Sequence, residues 1–310
     1  MAVLRLKPAY KDFLWGGSRL KKEYGKSEYH GYVLAETWEI SCDPEGLTTI
    51  RNGPYKGRTF EEYVEAEGQK AMGTRFERFD GFPFSVKLID AHQNLSIKLH
   101  PKVEYAAEHG LVQGNDECWY ILDALPNAGI FCGVDRELNK EEFASMIEQN
   151  TLKQVLHFKE VHPGEVYYLG PGILHSIGAG VLVMEIKQRL QVKYRVYDFG
   201  RVQPDGTPRK LSIEEAVDSA ILTPGCPTPD PEGHLVKCHS FTLDKIELSG
   251  EVNMELDGST FHYLLDIDGD GILVSGDSRT EFVKGDSLFI SADQGSYKLK
   301  GKGTLLLATI

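Results

Sequence analysis

The feature that most narrows the fold is the brevity of the apolar runs. Between Phe84 and Leu125, and again between Glu160 and Tyr197, apolar or alternating stretches are cut every few positions by Gly, Pro, Asn or Asp, as in "GEVYYLGPGILHSIGAGVLVMEI" (Gly164 to Ile186). Strands this short, with turns this frequent, close into a barrel or a sandwich rather than into alternating βαβ units. Three helix starts punctuate the strands, each a polar residue followed three positions later by Glu: Thr59 and Glu62, Asn139 and Glu142, Ser212 and Glu215. That is capping-box spacing, so the helices decorate a β core.

The segment "TPGCPTPDPEG", Thr223 to Gly233, holds four prolines and closes the last of these helices. It marks a domain boundary. Beyond it "FHYLLDI", "GILVSG", "DSLFISA" and "GTLLLATI" are all strand-like. The expected organisation is a β-rich domain with helical additions over residues 1–225 and a smaller β domain over 226–310. Inside the second tract, "DIDGDGILVSGD" (Asp266 to Asp277) imitates half of a calcium-binding EF-hand loop. An EF-hand needs a helix on each side, and here the flanks are strand-like, so a β-hairpin turn is expected.

A formal net charge of -12 over 310 residues disfavours nucleic acid and anionic lipid as partners, because both would repel the chain. An anionic small substrate would therefore need a local basic cluster. No stretch approaches the roughly 20 apolar residues of a membrane span, and the first residues lack a signal-peptide core, which makes the cytoplasm the expected location. The five cysteines, Cys42, Cys118, Cys132, Cys226 and Cys238, are scattered with no C-x-x-C pair. Reduced, buried thiols are expected, with neither a disulfide framework nor a cysteine-built zinc site.

Polar residues set within apolar strands are the candidates for chemistry. In "NLSIKLHP" Lys98 and His100 alternate onto one face, Glu117 opens "ECWYIL", and His175 follows the turn "LGPG". Two imidazoles and a carboxylate suit Zn, Fe, Mn or Ni and leave positions for a substrate. Their spacing is unlike that of zinc fingers or helical H-E-x-x-H sites, so only the three together carry the reading.

The arrangement resembles a cupin, a small jelly-roll-like β barrel. Six motifs in order bring it closer to type I mannose-6-phosphate isomerase in its short bacterial form: "FLWGG" (Phe13 to Gly17), "ETWEIS" (Glu36 to Ser41), "PFSVKLIDAHQNLSIKLHP" (Pro83 to Pro101), "ECWYIL" (Glu117 to Leu122), "GPGILHSI" (Gly170 to Ile177) and "YRVYDFGR" (Tyr194 to Arg201). The tail from Gly233 is similar only in kind, as a degenerate cupin without metal ligands. The resemblance implies a mainly β, two-cupin protein, one Zn2+ per chain, and interconversion of mannose 6-phosphate and fructose 6-phosphate, a small sugar-phosphate substrate. It implies His100, Glu117 and His175 as ligands, Arg195 as the active-site arginine, Glu185 as a proton carrier, and Lys87 and Ser96 at the substrate phosphate.

The residue types suit that chemistry. Moving hydrogen between C2 and C1 puts negative charge on oxygen in an enediolate, which a Lewis acid or an arginine can stabilise while a carboxylate or water carries the proton. Blander alternatives stand beside each residue. Glu185 within "VLVMEIK" could turn to solvent, Arg195 could lie along Tyr194 at the surface, Lys87 could be a solvated lysine, and Trp15 and Trp38 are core or cavity-wall aromatics.

Two positions depart from the family pattern. Lys98 stands where the family has Gln, and Asn115 where it often has Lys. A protonated ammonium has no lone pair, and neutralising it at pH 7 costs about 4.6 kcal/mol, so Lys98 is not expected to bind metal. It is expected instead to bind substrate, replacing the positive charge missing at Asn115. The same departures keep a second function open, a non-catalytic sugar-phosphate-binding or regulatory cupin. A cupin oxygenase would need redox iron, and "YRVYDFGR" argues against it.

Overall fold

The turn-punctuated runs form antiparallel strands in a computed structural model that describes residues 3–111, 116–189, 192–203, 205–226 and 233–310. The protein is mainly β, and the chain divides into two units: Met1–Asp90 with Glu185–Arg189 and Pro229–Ile310, and Ala91–Met184 with Leu190–Thr228. Strand Val181–Gln188 contributes to both.

In the second unit five short strands form a sheet in the order Tyr194–Tyr197, Ile97–Leu99, His175–Ile177, Gly129–Val134, Leu156–Glu160. Every neighbour in it is antiparallel. Strand Glu117–Ala124 pairs with Val166–Tyr168 in another sheet. Alternate residues of the five-stranded sheet sort cleanly: Ile97, Leu99, Phe131, Leu174 and Val196 enter an apolar core with Phe143, Ile147 and Ala216 of helices Lys140–Glu148 and Ile213–Ser219. The opposite face is left for polar residues.

In the first unit the N-terminal strand Val3–Lys7 pairs with Ser287–Ile290 and so joins the C-terminal strands. There Thr242–Met254, Tyr297–Thr309 and His262–Ser275 are neighbours in one sheet. Helix Phe60–Met72 buries Phe60, Tyr63 and Val64 at helical spacing, and the rings of Phe60 and Tyr63 meet Phe82 and Phe289 at 4.9–5.8 Å, each buried aromatic adding both area and edge-to-face contacts.

The helix starts agree with the sequence to different degrees. Thr59 and Glu62 form the full capping box, and Asn139 accepts from the Glu142 amide at 2.8 Å. Ser212 precedes its helix but its side chain makes no cap bond; its amide donates to the Arg195 carbonyl at 2.8 Å. Two expectations are corrected. The "DIDGDG" stretch is no turn: it runs inside the continuous strand His262–Ser275, which absorbs it as a bulge between Asp266 and Asp268, and the hairpin closes later with Ser275 opposite Ser278. Cys132 and Cys226 are joined in a disulfide, while Cys42, Cys118 and Cys238 are thiols. The partners are 94 residues apart, and only the fold brings their Cα atoms to 5.3 Å. Part of the proline-rich boundary, 227–232, lies outside the described residues.

Asp266 at that bulge is buried; its Oδ1 accepts from the Asp268 amide, and its Oδ2 has no partner. Burial, helped by Asp286, Asp268 and Asp270 and only partly offset by the Asp268 amide, pushes its pKa from 3.8 up to about 7. The folded state thus holds this proton more tightly than the unfolded chain does. The stabilisation is complete below about pH 4 and is lost as pH rises through 7. Asp266→Asn is expected to remove a slope worth a few kcal/mol across that window and to exceed wild-type stability at pH 8, measured by urea unfolding at a series of pH values. Thr59→Ala is expected to cost about 1 kcal/mol in the same assay, from loss of the capping box.

Candidate metal centre and active site

Strand register builds the site. His175 lies directly opposite Lys98 on one side and Cys132 on the other, and Lys98 lies opposite Arg195. Directly opposed residues of an antiparallel pair share a face, so Arg195, Lys98, His175 and Cys132 form a row across four strands. His100, two residues after Lys98, directly follows strand Ile97–Leu99. Glu117 comes from the other sheet at the start of its strand.

His100, Glu117 and His175 are all buried, and one ligand atom from each lies within 4.8 Å of the others. His100 Nε2 is 2.9 Å from Glu117 Oε2, and His175 Nε2 is 4.0 Å from Glu117 Oε1. The far nitrogens are engaged: Nδ1 of His100 is 2.8 Å from the Val192 carbonyl and Nδ1 of His175 is 2.9 Å from the Ile173 carbonyl. A nitrogen facing a carbonyl carries a proton, so the Nδ1 atoms are the donors and the Nε2 atoms are the ones that face Glu117. Burial, aided by His100 and Lys98 and opposed by Glu117, pushes the His175 pKa down to about 4, so its ring is neutral at pH 7. The Trp119 indole donates to Glu117 Oε1 at 2.9 Å and packs edge-on to His175, fixing both. Two imidazole Nε2 atoms and a carboxylate, all buried and facing one another within 4.8 Å, form a donor set that fits a divalent metal ion.

Ser96 stands in a different setting. Its hydroxyl donates to Asp198 Oδ1 at 2.6 Å and accepts from Arg209 at 2.7 Å and Arg201 at 3.2 Å. Asp198 also pairs with Arg201 and, at 2.8 Å, with Arg209 Nε. Arg195 contacts the Lys210 carbonyl at 3.4 Å; burial and the charges of Arg209 and Arg201 lower its pKa, and Asp198 opposes them. Sequence reasoning missed Asp198, Arg201 and Arg209. The first two lie within the quoted "YRVYDFGR", where a carboxylate followed by arginine at i+3 was the available signal; Arg209 had none.

Lys87 and Glu185 belong to the first unit and form their own buried group. Lys87 Nζ lies 3.6 Å from Glu36 Oε2, 3.8 Å from Glu185 Oε1 and 3.6 Å from the Trp38 ring centroid. Lys187 is 3.7 Å from Glu185, and the Trp38 indole donates to Glu36. Neither Lys87 nor Glu185 is a solvated surface residue, and Trp38 is the wall of this cation's nest. Asn115 lies outside the described residues.

Comparison with known proteins follows the geometry. The family model of the phosphomannose isomerase type I catalytic domain matches residues 3–124, and that of the mannose-6-phosphate isomerase cupin domain matches residues 232–310. The mannose-6-phosphate isomerase ManA of Bacillus subtilis is 32% identical over 314 residues, covering 96% of each chain. That of Streptococcus mutans is 33% identical over 300 residues, covering 93% of this chain and 92% of its own. The crystal structure of the Bacillus subtilis mannose 6-phosphate isomerase superposes with a TM-score of 0.88 at 32% identity over 100% of both chains. A mannose 6-phosphate isomerase bound with zinc and yttrium shares the fold, with a TM-score of 0.79 at 17% identity over 99% of both chains. With family models on both β tracts, full-length relatives above 30% identity and the same fold, the chain belongs to the type I mannose-6-phosphate isomerase family, as a cupin enzyme.

Proposed function

We propose that this isomerase interconverts mannose 6-phosphate and fructose 6-phosphate through an enediol(ate), with one Zn2+ held by His100, Glu117 and His175. The observation that carries the metal reading is that both Nε2 atoms converge on Glu117 in a buried group while both Nδ1 atoms are engaged by carbonyls. The bound ion would supply Lewis-acid stabilisation of negative charge on the sugar oxygens.

The chain's own residues supply the rest. Arg195, at the end of the row that contains His175, offers a charge that does not titrate near neutrality, suited to the developing oxyanion. Lys98 stands between them and offers a second cation to a sugar oxygen or phosphate. Ser96, with Arg201 and Arg209, is read as a phosphate contact, and Lys87 and Glu185 as a phosphate contact and the proton carrier. Those assignments are supported by family position, by the burial of Ser96, Lys87 and Glu185 and by the hydrogen bonds of Arg201 and Arg209 to Ser96. The tract 226–310 is read as a cupin-like partner without ligands, and the cytoplasm as the place of action. Lys98, in place of the family's glutamine, is what favours a second reading, a sugar-phosphate-binding cupin with little or no turnover.

The test is the rate of fructose 6-phosphate formation from mannose 6-phosphate by purified, zinc-loaded protein. Turnover that falls at least 1000-fold in His175→Ala is expected; folded, zinc-containing wild type without turnover selects the binding reading. Glu117→Gln should weaken zinc at least 100-fold in chelator competition, because the amide removes the anionic ligand. Lys98→Gln is expected to raise KM for the sugar phosphate, and a gain in activity would reject its role as a replacement cation.

A further inference from the structure

The Cys132–Cys226 disulfide lies beside the metal centre in the strand register. Cys132 is opposite His175 and on the same face of the sheet. Cys226 belongs to the segment after helix Ile213–Ser219, which lies against the turn before His175. The Ile221 amide donates to the Gly172 carbonyl at 2.8 Å, the Gly172 amide donates to the His100 carbonyl at 2.7 Å, and the Leu138 amide donates to the Leu222 carbonyl at 3.0 Å. The approach is close. Gly172 has φ +82°, and a Cβ there would stand 2.9 Å from Ile221 Cγ1; a Cβ on Gly133 would stand 2.1 Å from the Gly225 carbonyl. One covalent bond thus holds a segment that touches the backbone supporting both metal-ligating histidines.

We infer that Cys132–Cys226 is a redox-controlled clamp on the metal site: closed, it holds segment 221–226 against the Gly172 turn and fixes His100 and His175, and opened, it weakens their hold on the ion. The bond is reachable from one side only, since Cys132 is fully buried and Cys226 is half-buried. A dithiol reductant opens it in two exchanges. A thiolate attacks Cys226 Sγ, the Sγ–Sγ bond breaks, and Cys132 leaves as a thiolate that takes up a proton. The second thiol then resolves the mixed disulfide, freeing the Cys226 thiol and ending as the reductant's own disulfide. Two electrons and two protons pass to the protein. The remaining cysteines are poor substitutes: Cys42 and Cys118 are buried, and burial pushes the Cys42 thiol up to about 12.

The inference rests on the metal reading above, and the experiment separates the two. Alkylation in denaturant is expected to modify three cysteines before dithiothreitol treatment and five after it. After removal of the reductant, Zn2+ titrated against a chromophoric chelator is expected to bind the reduced protein at least tenfold more weakly than the oxidised one, with Cys226→Ser matching the reduced form. Amides of Leu138, Gly172 and Ile221 should exchange faster in the reduced form while far-UV circular dichroism stays unchanged. Five modified cysteines without reductant, zinc affinities within twofold of each other, or zinc loss that tracks global unfolding would each overturn the clamp. If neither form binds zinc, the metal reading fails and the clamp fails with it; if both bind equally, the metal reading stands and the clamp alone falls.

Discussion

The register of the three-residue strand His175–Ile177 is the constraint on which the site depends. It is hydrogen-bonded on both sides, to Ile97–Leu99 and to Gly129–Val134, and a slip of one residue on either side would turn its histidine into the apolar core. The slip is resisted by the other face. Leu174, Leu99, Ile97 and Phe131 occupy a core shared with two helices, and exposing four such side chains would cost about 1.5–3 kcal/mol each. Apolar packing on one face of the sheet thus fixes the position of the polar groups on the other.

Charge is handled locally against a chain of net charge -12. Around Asp198 three arginines, Arg195, Arg201 and Arg209, crowd one carboxylate, and Lys98 stands in the same sheet row as Arg195. A neighbourhood with more cations than anions in an acidic protein is what an anionic substrate requires. The first unit uses the opposite arrangement at Lys87, where one buried ammonium is surrounded by two carboxylates and an indole face. The buried charges Lys87, Glu185 and Asp198 each have an oppositely charged partner, as desolvation of an ion demands.

Within the second unit, backbone hydrogen bonds tie the histidine strands to segment 221–226 at Gly172. Its amide and carbonyl connect the His100 carbonyl to the Ile221 amide, and the lack of a side chain lets the two segments touch. The rigidity of the histidine pair therefore has two sources, the carbonyls that hold each Nδ1 and the turn that holds the strand ends. A metal site depends as much on such supporting bonds as on its ligands.

The sequence by itself determined the β class and two of three helix caps, and it singled out His100, Glu117 and His175, which the fold brings together. Periodicity, cap spacing and polar residues inside apolar runs are local signals, and the family motifs around them are contiguous. Only the tertiary structure decided that Asp198 and Arg209 join Ser96, that Lys87 and Glu185 are buried together, and that Cys132 meets Cys226. It also decided that "DIDGDG" is carried through a long strand as a bulge, because the neighbouring strand Tyr297–Thr309 continues past it and keeps pairing. These facts depend on which strands lie side by side and in what register, and residues tens of positions apart carry no mark of that in their spacing.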